Sequence, residues 1–127
     1  YVLRMFTVKV TDSFSAAHRL KGYQGNCERL HGHNYRVEVS VELPSLDATG
    51  IVMDFRELKT TLKGILEDMD HQYLNDLPSF SSKNPSAENI AQLIYAAFAK
   101  AVHPPARLKE VVVWENENCS VSYTDTE

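Results

Sequence analysis

Three of the five histidines fall into a pattern that could hold a metal ion. His31 and His33 stand two apart in His31-Gly32-His33, so in an extended chain both imidazoles project from one face and their nitrogens can converge. His18 closes the segment Phe14-Ser15-Ala16-Ala17-His18 and keeps the even parity of Phe6, Val8 and Val10, provided the strand runs on without a bulge. If that strand pairs with the one that follows His33, the third imidazole lands beside the other two. Three histidines suit a catalytic Zn²⁺ better than a structural one, because structural zinc is normally closed by four protein ligands. Imidazole also serves Cu, Ni and Fe, so the donor set prefers zinc without dictating it. On spacing alone, the competing reading is a half-exposed strand edge with an unrelated histidine elsewhere.

Cys27 lies four residues before His31. It is either a fourth ligand that closes the site or a thiolate activated by the field of the metal. Asp70-His71 is either the polar end of a helix or an acid-base pair in which the carboxylate orients the imidazole. Glu115 shares the parity of Val111 and Val113, which puts a carboxylate on an apolar face, where it either meets solvent or binds the polar edge of a ligand. Cys119 reads as a small strand residue and His103 as a solvated loop residue. Gly32 sits in no glycine-rich strand-to-helix turn, so a phosphate loop is not implied.

Strands and helices must position these groups. Residues 6–11 alternate apolar and polar, and residues 35–43 do so more cleanly, with the apolar set on odd positions. Pro44 and the Asp47-Ala48-Thr49-Gly50 stretch end the second run. Asp54 and Glu57 have the spacing of a helix cap and its reciprocal partner, and Phe55, Leu58, Leu62, Ile65, Leu66 and Met69 recur at helical intervals, predicting a helix over 55–69. A second helix is predicted to begin near Asn84-Pro85-Ser86 with the proline in its first turn. Its apolar stripe would be Ile90, Ile94, Ala97, Phe98 and Ala101, and His103-Pro104-Pro105 would end it. Residues 110–115 and 119–124 read as a strand pair joined across Asn116-Glu117-Asn118. The order strand, strand, helix, helix, strand, strand predicts an antiparallel α+β sandwich and not a doubly wound parallel sheet.

Length and composition limit the function classes. A chain of 127 residues suits one domain, and its 43% hydrophobic and 24% charged content is that of a globular protein. With 17 acidic against 13 basic residues and no basic run, nucleic acid is not an expected partner and small molecules are. No apolar stretch is long enough to span a bilayer and residues 1–6 do not resemble a signal peptide, so a cytoplasmic location is expected and no membrane partner. Two cysteines in such a chain are expected to be free thiols.

Taken in order, the Phe14 to His18 segment, the Cys27 to His33 motif with Asn34, Met53-Asp54-Phe55, Asp70-His71, Asn84-Pro85-Ser86-Ala87-Glu88-Asn89 and Val113-Trp114-Glu115 resemble the 6-pyruvoyl-tetrahydropterin synthase family over nearly the whole chain. The resemblance implies a T-fold, an antiparallel four-stranded sheet with two helices on one face, in a single catalytic domain over 1–127. It implies assembly into a homo-oligomer, a trimer or a hexamer of two trimers. His18, His31 and His33 would be the zinc ligands, Cys27 the catalytic base, Asp70 and His71 its proton-handling partners, and Glu115 the anchor of the pterin ring. The three-residue gap between Cys27 and His31 is similar to the 6-carboxytetrahydropterin synthase branch of queuosine biosynthesis. That branch implies a lyase acting on 7,8-dihydroneopterin triphosphate, releasing 6-carboxy-5,6,7,8-tetrahydropterin, acetaldehyde and triphosphate. A 6-pyruvoyl-tetrahydropterin synthase, a dihydroneopterin-cleaving relative and a noncatalytic metal- or pterin-binding module are the alternatives.

Overall fold

The computed structural model describes residues 4–22, 29–51 and 53–125. The elements run β1 (Phe6–His18), β2 (His31–Leu43), α1 (Phe55–Glu67), β3 (Gln72–Tyr73), α2 (Ala87–Ala99), β4 (Arg107–Asn116) and β5 (Cys119–Tyr123). Two 3₁₀ turns, Leu74–Asp76 and Pro78–Phe80, lie between β3 and α2. The α+β class agrees with the sequence reading, but strand count and direction do not. The sheet has five strands in the order β3-β1-β2-β4-β5, and β3 pairs with β1 in parallel. The expected four-stranded antiparallel sheet is therefore a mixed one. Two residues of β3 are too few to show a period of two, which is why the sequence concealed them.

Strand β1 runs through His18 without a bulge, and its register with β2 is unbroken from Phe6 opposite Leu43 to His18 opposite His31. Even positions of β1 and odd positions of β2 therefore share one face. Val10, Phe14, Tyr35, Val37, Val39 and Val41 are buried there, joined by Val111 and Val113 of β4. Helix α1 covers this face with Leu58, Leu62 and Leu66, and α2 with Ala87, Ile90, Ala91, Ile94, Tyr95 and Phe98. Truncating Leu62, which is fully buried, to Ala would cost about 2–5 kcal/mol.

Both helices begin and end differently from their apolar patterns. The Asp54 carboxylate caps α1 by accepting from the Arg56 N–H at 2.8 Å and pairs with the Arg56 guanidinium, while Glu57 does not make the reciprocal capping bond expected of it. Phe55 is more than half exposed, so the buried stripe starts at Leu58. Helix α1 stops at Glu67, two residues short of expectation, because the Leu66 carbonyl accepts from both Met69 and Asp70 N–H groups and tightens the chain into a turn. For α2, Ser86 is the cap, its hydroxyl accepting from the Asn89 N–H, and Pro85 precedes the helix instead of opening it. Ala101 lies beyond the helix and is exposed, while Ala87, Ala91 and Tyr95 complete the buried stripe.

Candidate metal centre and its flanking grooves

The unbroken β1–β2 register sets His18 directly across from His31 and Ala16 across from His33. A small side chain opposite His33 leaves room for its ring. The three rings stand edge to face, with centroids 4.5 Å (His18–His31), 5.2 Å (His18–His33) and 4.9 Å (His31–His33) apart. One ligand nitrogen from each lies within 4.8 Å of the others. The condition set on the sequence, a β1 without a bulge, is thus met.

Backbone carbonyls fix the tautomers. His18 Nδ1 lies 2.7 Å from the Pro85 carbonyl oxygen and His31 Nδ1 lies 2.7 Å from that of Arg29. A carbonyl only accepts, so each Nδ1 carries the proton and each Nε2 is left with a bare lone pair. Those two Nε2 atoms face each other at 2.9 Å. Two lone pairs at that distance repel unless a cation lies between or beside them. His33 Nε2 is buried with no hydrogen-bond partner, a state that costs about 1–3 kcal/mol for a polar atom. Tetrahedral Zn–N bonds of about 2.0–2.1 Å place donor nitrogens roughly 3.3 Å apart, so small ring rotations would bring all three to a Zn²⁺. The residues present fit a metal ion. The carbonyl acceptors of Pro85 and Arg29 are the outer partners that orient ligating imidazoles.

Burial lowers the His18 pKa from its ordinary value, and the positive charges of its two neighbours add to this, against the Pro85 carbonyl and Glu115, which favour the proton. Burial likewise lowers His33, with Glu115 opposing. Both imidazoles are therefore biased toward the neutral, metal-binding form. The Tyr35 hydroxyl lies 3.2 Å from His18 Nδ1 beneath the cluster; burial first, and then the Glu115 charge, push its pKa upward.

Glu115 sits where the β4–β5 register slips, between Trp114 opposite Ser120 and Asn116 opposite Cys119. Its negative charge acts on His18 and His33 and favours their protonated forms. With His33, Asn34, Arg36 and Trp114 it lines a cavity of about 580 Å³, and the Arg36 guanidinium stacks over the Trp114 ring at 5.5 Å. A groove of about 640 Å³ between the start of α1 and the end of α2 contains none of the histidines.

Asp70 and His71 occupy the other flank. One Asp70 carboxylate oxygen accepts from the Ser15 N–H at 2.9 Å and lies 3.0 Å from His71 Nδ1. The Ser15 N–H bond, ahead of the contact with His71, holds the Asp70 pKa below the usual carboxylate range. His71 has φ of +59°, a left-handed backbone uncommon for a residue with a Cβ, and it persists because its N–H donates to the Ser15 carbonyl at 2.6 Å. The exposed His71 side chain lines an open groove of about 520 Å³ together with Ser15, Gly32, His33 and Asn34. The two cavities therefore meet at residues 32–34, on either side of His33.

Comparison with known proteins supplies the context for this geometry. The family model described as 6-pyruvoyl tetrahydropterin synthase matches residues 7–126. The chain belongs to that family. It is 41% identical over 105 residues to 6-carboxy-5,6,7,8-tetrahydropterin synthase of Synechocystis, covering 79% of this chain and 80% of the relative. It is 37% identical to the dihydroneopterin monophosphate aldolase of Pyrococcus furiosus, over 86% of this chain and 89% of the relative. The structure of 6-pyruvoyl tetrahydropterin synthase from Caenorhabditis elegans superposes with a TM-score of 0.86 at 28% identity, covering 99% of each chain. The chain is thus an enzyme similar to the 6-carboxytetrahydropterin synthases.

Cys27 lies outside the described residues. Cys119 is a free, exposed thiol. Sequence reasoning missed the carbonyls of Pro85 and Arg29, the Tyr35 hydroxyl and the side-chain bridges of Asn75 and Asn84. Backbone acceptors leave no trace in residue type; the Asn-Pro pair before α2 was the one available signal, and it was read as a helix start and a family motif, not as a partner of His18.

Proposed function

We propose that this chain, as a single T-fold catalytic domain over 1–127, is a zinc-dependent lyase that converts 7,8-dihydroneopterin triphosphate to 6-carboxy-5,6,7,8-tetrahydropterin with release of acetaldehyde and triphosphate. The observation that carries the reading is the opposition of two bare Nε2 lone pairs at 2.9 Å beside an unpartnered His33 Nε2, with the Glu115 cavity next to them. His18, His31 and His33 would hold the metal. Bound Zn²⁺ supplies Lewis-acid stabilisation of negative charge developing on the side-chain oxygens of the substrate.

The remaining roles belong to the chain's own groups. Glu115 would accept hydrogen bonds from the pterin ring N–H groups, which fixes the side chain of the substrate next to the histidines. Cys27, as a thiolate, would take protons from that side chain. Asp70 holds His71 Nδ1, leaving Nε2 free to give or relay a proton. Asp70 and His71 would act on the site of a neighbouring subunit in a homo-oligomer.

The name of the Synechocystis relative supports the carboxy product, while the Pyrococcus relative at 37% identity supports a second reading, retro-aldol cleavage of a dihydroneopterin on the same groups. Incubating zinc-loaded protein with 7,8-dihydroneopterin triphosphate and identifying products by mass tests the proposal. Expected products are 6-carboxytetrahydropterin and acetaldehyde; a pyruvoyl product, or cleavage of the unphosphorylated pterin alone, would overturn it.

A further inference from the structure

We propose that the polar cavity beside the start of α2 is the subsite for the phosphoanhydride chain of the substrate, with Lys21 and Lys83 as its cations. This rests on the reading of the substrate as a pterin triphosphate. The cavity measures about 330 Å³ and is lined by Lys21, Asn75, Ser81, Ser82, Lys83 and Asn84, with Phe80 at one side. Every charged residue on its wall is a lysine, in a chain whose net charge is -4. Neither lysine takes part in an ion pair among the described residues. A polyanion approaching an acidic protein needs such a local concentration of positive charge and hydroxyl donors.

The walls are cross-linked, so the cavity is built and not a chance gap between loops. The Asn75 side chain accepts from the Arg19 N–H and donates to the Arg19 carbonyl, each at 2.9 Å. Asn84 does the same with Lys21, again at 2.9 Å in both directions, and its own carbonyl accepts from Asn89 in α2. Each asparagine thus imitates a strand partner and extends the order of the β1 edge past His18.

Position argues for the phosphate chain in particular. Lys21 follows His18 by three residues, at most about 11 Å along the chain. Asn84 precedes Pro85, whose carbonyl orients His18. The sheet order β3-β1-β2-β4-β5 puts Glu115 on β4, His31 and His33 on β2, His18 on β1, and the cavity beyond β1. A substrate with its ring at Glu115 and its side-chain oxygens at the histidines would direct its terminal phosphates toward the lysines.

The test uses inorganic tripolyphosphate as the probe, titrated calorimetrically into the protein, so that binding is read without turnover. The Lys21→Ala/Lys83→Ala variant should lose tenfold or more in affinity, on the order of one charge-assisted contact at least. Lys59→Ala/Lys63→Ala, two exposed lysines on α1, makes the same change in net charge and should bind as the parent does. Lys21→Ala/Lys83→Ala should also raise KM for dihydroneopterin triphosphate while leaving affinity for unphosphorylated 7,8-dihydroneopterin unchanged. Equal tripolyphosphate binding by parent and Lys21→Ala/Lys83→Ala, or an equal loss in Lys59→Ala/Lys63→Ala, would overturn the assignment. Tripolyphosphate binding that depends on the two lysines, in a protein that turns over no pterin, would support the anion site while refuting the lyase reading.

Discussion

Removal of one histidine gives the sharpest test of the metal centre. A ligand that binds only the folded state adds RT ln(1 + [L]/Kd), about 2.7 kcal/mol when Zn²⁺ is a hundredfold above its Kd. An unfolding entropy of about 2.1 cal/mol/K per residue gives roughly 270 cal/mol/K for 127 residues, so that stabilisation raises Tm by about 10 °C. His33→Ala removes one donor of three. If binding weakens about a hundredfold, the ratio of metal to Kd falls to one, and the remaining stabilisation of about 0.4 kcal/mol lifts Tm by only about 1.5 °C. Without metal the variant should lose little stability, because the deleted Nε2 is a buried atom without a partner and its removal offsets lost packing. Thermal unfolding followed by circular dichroism, with and without Zn²⁺, reads both effects. His103→Ala, at an exposed loop position, should keep the full shift. An undiminished rise near 10 °C in His33→Ala would refute the assignment of the three histidines.

Cys27→Ala should keep its zinc and its pterin affinity while losing most turnover; loss of zinc from this variant would make Cys27 a fourth ligand and end the open-site mechanism. Glu115→Gln preserves size but removes the acceptor charge, and should weaken binding of a pterin analogue by about tenfold with metal content intact; unchanged affinity would return Glu115 to a solvated role. Burial lowers the His18 and His33 pKa values from 6.5, so just below that pH the unfolded chain binds more protons than the folded one and stability rises with pH across the window. Metal-stripped protein should therefore lose Tm as pH falls from about 7 to about 5.5, and replacing both residues with Gln should flatten that slope; an unaltered slope would contradict it. Cys27→Ala and His71→Ala, each inactive alone, should recover partial activity when unfolded and refolded together, because a mixed oligomer can pair an intact Cys27 with an intact His71; hybrids by mass without activity would refute a shared site.

The elements that carry a long period were legible in the sequence. The alternating runs 6–11 and 35–43, which are parts of the longer strands β1 and β2, and helices with a leucine or isoleucine every third or fourth position announce themselves because burial of one face leaves a regular trace in residue type. The parity of His31, His33 and His18 was readable for the same reason; spacing alone left a strand edge with an unrelated histidine open, and the unbroken β1–β2 register is what brings the three rings together. What a turn or a backbone group does was not readable. The two residues of β3 pair because Asp70 and His71 clamp Ser15, and that clamp depends on a left-handed His71 reached only after the Leu66 carbonyl ends α1 early. The tautomers of His18 and His31 are set by carbonyls of Pro85 and Arg29, the former 67 residues away in the chain. Any residue could have supplied those oxygens, so only the tertiary structure decided that two lone pairs would face each other.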